Sequence, residues 1–418
     1  MPKLLLFFLS FLFYFFSYER DYLLSDKLHK DYKKLIMKTS IGREFYKRKF
    51  NKIERPLIVL RYSDDIGYAW YDPYKNIITL NTKYIMIFFN IDGYDDEKII
   101  NVFYFSDKTR KEFVNYSDTI FFHELIHAYQ SKVYPSVVDY NNNFFIEFEY
   151  EAYFLSDIYF FEKMKNNKKL FLKILANQYI DLYTSDAVNG FFSMITNIDE
   201  YKSFIKKRYQ NEITGYVSLT DEERKRKAVI EEKKLISYAI GKREIVYEEE
   251  KKLDEIEKIK TAYHNSVVDF YNKRYHAISC DAIAYIIENS ALIDNYYLLF
   301  KAGYYFKKNR CNRSFEKILA LLMEFEKKFR LWIGKHKNKI SFQDLYLTLR
   351  SYDDYLSILG KDFPVEISKL KEDVYLRRVA EIKEKLNTIT DENEKEEYIK
   401  ELDFLYQKLG KDRLKTLF

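Results

Sequence analysis

The chain has 418 residues, room for two or three domains, and its 47% hydrophobic and 32% charged residues exclude a disordered chain. Its net charge is +6, from 70 basic and 64 acidic residues with the signs interleaved, so it carries no electrostatic footprint for nucleic acid. There is no glycine-rich phosphate loop and no cysteine pair with zinc-finger spacing, and only 10 glycines and 5 prolines, which implies long helices with few tight turns.

Lys3 precedes an apolar run over residues 4–16, which has the form of an export signal. The run is shorter than the roughly 20 apolar residues of a membrane span. No small-residue cleavage site follows it. Residues 1–24 therefore read as a signal peptide or an N-terminal membrane anchor, and either would place the rest of the chain outside the cytoplasm. An N-terminal helix buried in the core is the structural alternative. Residues 25–55 are basic and helix-like, as in His29-Lys30-Asp31-Tyr32-Lys33-Lys34. Three strands are then predicted: Ile58 to Tyr62, Tyr68 to Tyr71, and Asn76 to Asn81, with a turn at Asp72-Pro73.

The stretch Thr119 to Tyr129 contains His123-Glu124-Leu125-Ile126-His127 and no Gly or Pro, so it is predicted helical. On a helix the two histidines share a face and both imidazoles reach one Zn2+. Glu124 lies beside them, placed to take the proton of a water activated by the metal. The neighbours Phe121, Phe122, Leu125, Ile126 and Ala128 are apolar, so these polar groups need a strong partner, which a metal supplies. Two satisfied core histidines are the bland alternative. Ser117-Asp118 reads as the N-cap of this helix.

A catalytic zinc site needs a third protein ligand and one open position. Phe145 to Asp157 reads as a helix with three carboxylates, Glu147, Glu149 and Glu151. Glu149 shares a face with Phe145, Ile146, Ala152, Tyr153 and Ser156, where an unpaired carboxylate would be costly. Glu149 is the first candidate for the third ligand, Glu151 the second and Glu147 the third. Asp157 is a candidate for orienting a ligand histidine, although an ordinary polar position is the simpler reading.

With these residues the chain resembles the zincin metallopeptidases, whose active-site helix carries HExxH between uncharged residues. Ala128 to Val133 holds no Gly or third His at the required spacing, which disfavours the metzincin branch. In the thermolysin-like branch, the gluzincins, the third ligand is a Glu on a later helix. Glu149-Tyr150-Glu151-Ala152 resembles the ExxA of minimal gluzincins such as the integral-membrane CAAX-type proteases and cytosolic repressor-cleaving peptidases. Tyr153 stands where those families often have Asp or Asn. The resemblance implies a small twisted sheet ahead of the metal helix, whose edge can bind a peptide by strand addition. Ile77 to Asn81 is the candidate edge, with an ordinary sheet strand as the equal alternative. It also implies a His or Tyr donor to the transition state, for which His264 and His276 are the downstream histidine candidates.

Thr220-Asp221-Glu222-Glu223 resembles a capping box that opens a charged stretch to about Tyr263. A more apolar helical block runs from Ser266 to about Gly360, and the tail from Glu366 is charged and amphipathic, with a cap signal at Thr390-Asp391-Glu392. Cys280 and Cys311 either pair or stay free.

The expected fold is α+β and mostly helical: a zincin-like core with a small mixed sheet and the HExxH helix, then an all-helical C-terminal region. The expected divisions are 1–24, 25–55, the core 56–209, a charged helix or linker 210–265, and 266–418. The expected function is a zinc metallopeptidase on peptide or protein substrates, with Glu124 as general base, His123, His127 and Glu149 (or Glu151) on the metal, and possible membrane association through residues 4–16. The alternatives are a non-peptidase zinc amidohydrolase on the same core, a non-catalytic binding or structural protein on a zincin scaffold, and a membrane-anchored helical adaptor with a chance HExxH.

Overall fold

The computed structural model describes residues 20–64, 66–90, 95–133, 146–176, 190–208, 274–311 and 315–410, with isolated positions 188, 251, 254, 255, 258, 261 and 262. The apolar run 4–16, the cap signal at Thr220 and His264 lie outside the described residues. Among the described residues no helix is long and apolar enough to cross a membrane. The fold is α+β and mostly helical, with a three-stranded mixed sheet, and it divides into two compact units, Met1–Ile278 and Ser279–Phe418.

In the first unit α1 (residues 20–36) and α2 (Ser40–Arg48) precede β1 (Leu57–Arg61), β2 (Ala69–Asp72) and β3 (Ile77–Asn81). The strand order is β1-β3-β2. β1 runs parallel to β3 with Leu57 opposite Ile77, and β2 antiparallel to it with Ala69 opposite Leu80. Ile77–Asn81 is therefore the central strand, not the candidate edge. On one side the turn after β2 folds it back, with Asp72 Oδ1 accepting from the amides of Tyr74 and Lys75 at 2.9 and 3.1 Å. On the other, α1 holds β1 through Ser25 Oγ, which accepts from the Ile58 amide at 2.9 Å.

The register also shows which way β2 faces. The Asn81 amide donates to Tyr68 O at 3.0 Å, so Trp70 and Asp72 bond toward β3. The backbone groups of Ala69 and Tyr71 then point away from the sheet.

Beyond the sheet come α3 (Thr82–Phe89), α4 (Asp96–Phe105), α5 (Asp107–Val133), α6 (Ile146–Lys165), α7 (Lys168–Leu175) and α8 (Ile198–Arg208). α5 is one helix of 27 residues that carries the whole HExxH motif. It starts at Asp107, where Ser106 Oγ accepts from the Thr109 amide at 3.3 Å, and not at Ser117-Asp118. Both of those residues are buried mid-helix. Ser117 Oγ donates to Phe113 O at 2.9 Å, and Asp118 accepts from Tyr159 at 2.5 Å and Lys163 at 2.6 Å of α6. Polar residues that read locally as a cap are tethers between helices, because tertiary partners satisfy them.

Arg110 fixes the start of α5. It donates to Asp31 of α1 at 2.7 Å, to Asp107 at 2.7 Å and to Phe103 O at 2.9 Å. Tyr32 of α1 stacks on Phe121, with ring centres 3.9 Å apart. Phe121, Phe122, Leu125 and Ile126 are fully buried, each contributing about 1.5–3 kcal/mol. α2 doubles back tightly on α1, since a Cβ on Gly42 would lie 2.0 Å from Ile36 O. Its first turn is held by Glu162 of α6, which accepts from the amides of Ser40 and Ile41 at 2.5 and 3.2 Å. α2 and α5 thus both pack on α6, and the three helices enclose the site.

The second unit holds α9 (the helical residues 279–290), α10 (Tyr296–Lys308), α11 (Phe315–His336), α12 (Phe342–Ile358), α13 (Val365–Leu386) and α14 (Glu392–Lys408). Cys280 and Cys311, both buried, form a disulfide with Cα atoms 5.5 Å apart. α10 packs closely on its neighbours at Gly303, where a Cβ would meet Leu322 and Tyr355 at 3.1 Å. Buried Glu326 accepts from Arg330 at 2.7 Å and Tyr352 at 3.1 Å, and Glu401 takes both Arg378 bonds at 3.0 Å. Asp391 caps α14, accepting from the Glu394 amide at 3.2 Å.

Candidate metal centre

His123 and His127 stand one helical turn apart on the face of α5 that meets α6. Their Nε2 atoms lie 3.0 Å apart. Glu149 enters from α6, with Oε2 3.4 Å from His123 Nε2 and Oε1 3.4 Å from His127 Nε2. These three side chains form a cluster that could bind a metal ion, and among the described residues it is the one such group, with ligand atoms within 4.8 Å of one another.

The donor set fits a metal. Ligands about 2.0–2.1 Å from a tetrahedral centre lie about 3.3 Å from each other, close to the 3.0 and 3.4 Å seen here. Glu149 Oε2 is buried without a hydrogen-bond partner, a costly state that a cation would relieve. The side chain of His123 is the most open of the three, 12% exposed against 4% for His127 and 8% for Glu149, so the cluster is reached from its side.

Electrostatics inside the site are strong because its groups are buried. Burial pushes the Glu149 carboxyl up, but the imidazoles of His127 and His123 outweigh it and hold the group well below the usual carboxylate range. Burial pushes the His127 imidazole down, yet Glu149 and Glu124 carry it up to about 9. Glu124, unlike Glu149, is raised: burial lifts its carboxyl, opposed by both imidazoles and by a hydrogen bond from the Tyr71 backbone amide. That amide is on the outward side of β2, so this edge of the sheet adjoins the carboxylate of the motif.

The remaining candidates separate cleanly. Glu151 points away from the cluster, accepting from Lys49 Nζ at 2.8 Å and from Gln130 Nε2 at 3.0 Å. The side chain of Glu147 lies outside the described residues. Asp157, further along α6, accepts from Tyr201, and a Cβ on Gly190 would lie 2.5 Å from its carboxylate. His276 is exposed and outside the cluster.

Sequence reasoning missed three contributors. Gln130 Oε1 lies 2.8 Å from His127 Nδ1, Lys49 reaches Glu151 from the end of α2, and β2 supplies the Tyr71 amide. Gln130 was readable in principle, since it follows His127 by three residues on the same helix face. Tyr153 packs edge-on against His123, with ring centres 4.7 Å apart. Compared with protein-family models, curated proteins and solved structures, the chain matches none.

Proposed function

We propose that the chain is a zinc-dependent metallopeptidase of gluzincin type. The observation that carries this is the convergence of Glu149 from a second helix on the two histidines of HExxH, at 3.4 Å from each. Two neutral imidazoles and one carboxylate are a donor set suited to zinc with a position left open. A three-stranded sheet beside the motif helix further supports a zincin-like core.

When bound, zinc would supply the Lewis acidity that acidifies water and polarises a carbonyl. His123, His127 and Glu149 hold the ion. Glu124 takes the proton of the attacking water and passes it to the leaving amine. Its burial-raised carboxyl suits that exchange better than an ordinary exposed one. The outward backbone of Ala69 gives an extended peptide a place to pair along β2, while the Tyr71 amide serves Glu124. Peptide as the substrate class rests on the zincin resemblance. The Cys280–Cys311 disulfide supports a site of action outside the cytoplasm, where such bonds persist.

The test is elemental analysis of the full chain, wild type beside His123→Ala, followed by a peptide-library assay. About one zinc per chain, lost in the variant, is expected, and Glu124→Gln should keep the zinc while losing hydrolysis by roughly 100-fold or more. Wild type without zinc after zinc is supplied would refute the reading. Zinc uptake with turnover of small amides but no peptide would point to the amidohydrolase instead.

A further inference from the structure

Two charged residues beside the cluster take no place in it, Glu151 and Lys49. Glu151 is 7% exposed, and a buried carboxylate needs partners. Lys49 Nζ donates to its Oε1 at 2.8 Å, and Gln130 Nε2 to its Oε2 at 3.0 Å. Gln130 Nε2 also donates to Phe148 O at 3.0 Å. An ionised carboxylate and a carbonyl only accept, so the Gln130 amide has one orientation: its NH2 toward Glu151 and Phe148, its oxygen toward His127. An oxygen 2.8 Å from His127 Nδ1 can only accept. The Nδ1 of His127 must therefore carry its hydrogen. In the neutral ring Nε2 then presents a lone pair, and Nε2 is the atom that faces His123 and Glu149.

We propose that Glu151, Lys49 and Gln130 are positioning residues of the metal centre, a relay that sets the tautomer and ring angle of His127 so that Nε2 is the donor. The inference rests on the zinc reading above. Lys49 pairs with Glu151, Glu151 orients Gln130, and Gln130 orients the ring. The relay joins three helices, since Lys49 ends α2, Gln130 lies on α5 and Glu151 on α6. Outer partners of this kind change metal affinity by roughly 10- to 100-fold when removed.

The experiment is zinc competition against a chromophoric chelator for the full chain as wild type, Glu151→Ala, Lys49→Met and Gln130→Met. The visible spectrum of the cobalt-loaded forms and the unfolding midpoints of the metal-free forms are measured alongside. Zinc affinity should fall roughly 10- to 100-fold in Gln130→Met and Glu151→Ala and in the same direction in Lys49→Met, with altered cobalt bands. If Glu151→Ala does not fold, Gln130→Met carries the test, because it keeps the Lys49–Glu151 pair and nearly the same volume. Folded variants with wild-type zinc affinity and wild-type cobalt bands would overturn the relay and leave the zinc reading standing. Wild type that binds no zinc would overturn both.

Discussion

His29 lies in α1 and is 5% exposed, with Nε2 2.7 Å from Pro56 O and its ring edge-on to Phe121, 5.7 Å between centres. Burial holds its pKa down at about 4 against an ordinary 6.5, although the Pro56 carbonyl favours the charged form. Native His29 therefore binds fewer protons than unfolded His29 across that window. Its contribution is whole above pH 6.5 and is lost as pH falls toward 4. That depression corresponds to about 3 kcal/mol in full, most of it lost by pH 4.5. His29→Gln removes the titration and keeps an N–H donor for Pro56. Urea unfolding of both proteins at pH 7.5, 6 and 4.5 isolates the residue, since all other groups titrate in both. Wild type should lose about 2–3 kcal/mol more than the variant between the extremes. Equal losses would refute the claim that this ring is buried neutral between α1 and the metal helix.

Two further outcomes are expected. Glu149→Ala should abolish stoichiometric zinc, read by elemental analysis, whereas Glu151→Ala should bind one zinc at saturating concentration. The reverse result would exchange their roles. Opening the Cys280–Cys311 bond, which spans 31 residues, should cost about 3–4 kcal/mol by loop entropy. Urea unfolding with and without reductant measures it, with free thiols counted to show that the bond has opened. Identical curves on fully reduced protein would contradict the expectation.

The centre was legible where its signal is local. The spacing of His123 and His127 and the apolar residues around them need only one helix to be read. Glu149 stood out because its helix face is otherwise apolar or small, a costly place for an unpaired carboxylate. The sequence left Glu151 open as a ligand, because what removes it from the cluster is Lys49, 102 residues away. No periodicity connects α2 to α6. The same limit explains Ile77–Asn81, read as an edge but central in the sheet: its parallel pairing with β1 depends on how the chain closes over distance. Ser117-Asp118 read as a cap because the pair fits one, while its true partners, Tyr32 and Tyr159, lie on other helices. The pairing of Cys280 with Cys311 was left open for want of any distance between them.

All three members of the metal cluster sit on helices, and none on a loop. Their donor atoms lie 3.0–3.4 Å apart. Little chain needs ordering when a cation arrives, so its binding energy is not consumed in building the fold. Chelation should therefore strip the ion and leave a folded protein, unlike the small zinc modules that collapse without their metal. On the zinc reading, metal supply would set the occupancy of the site without deciding whether the chain stays folded.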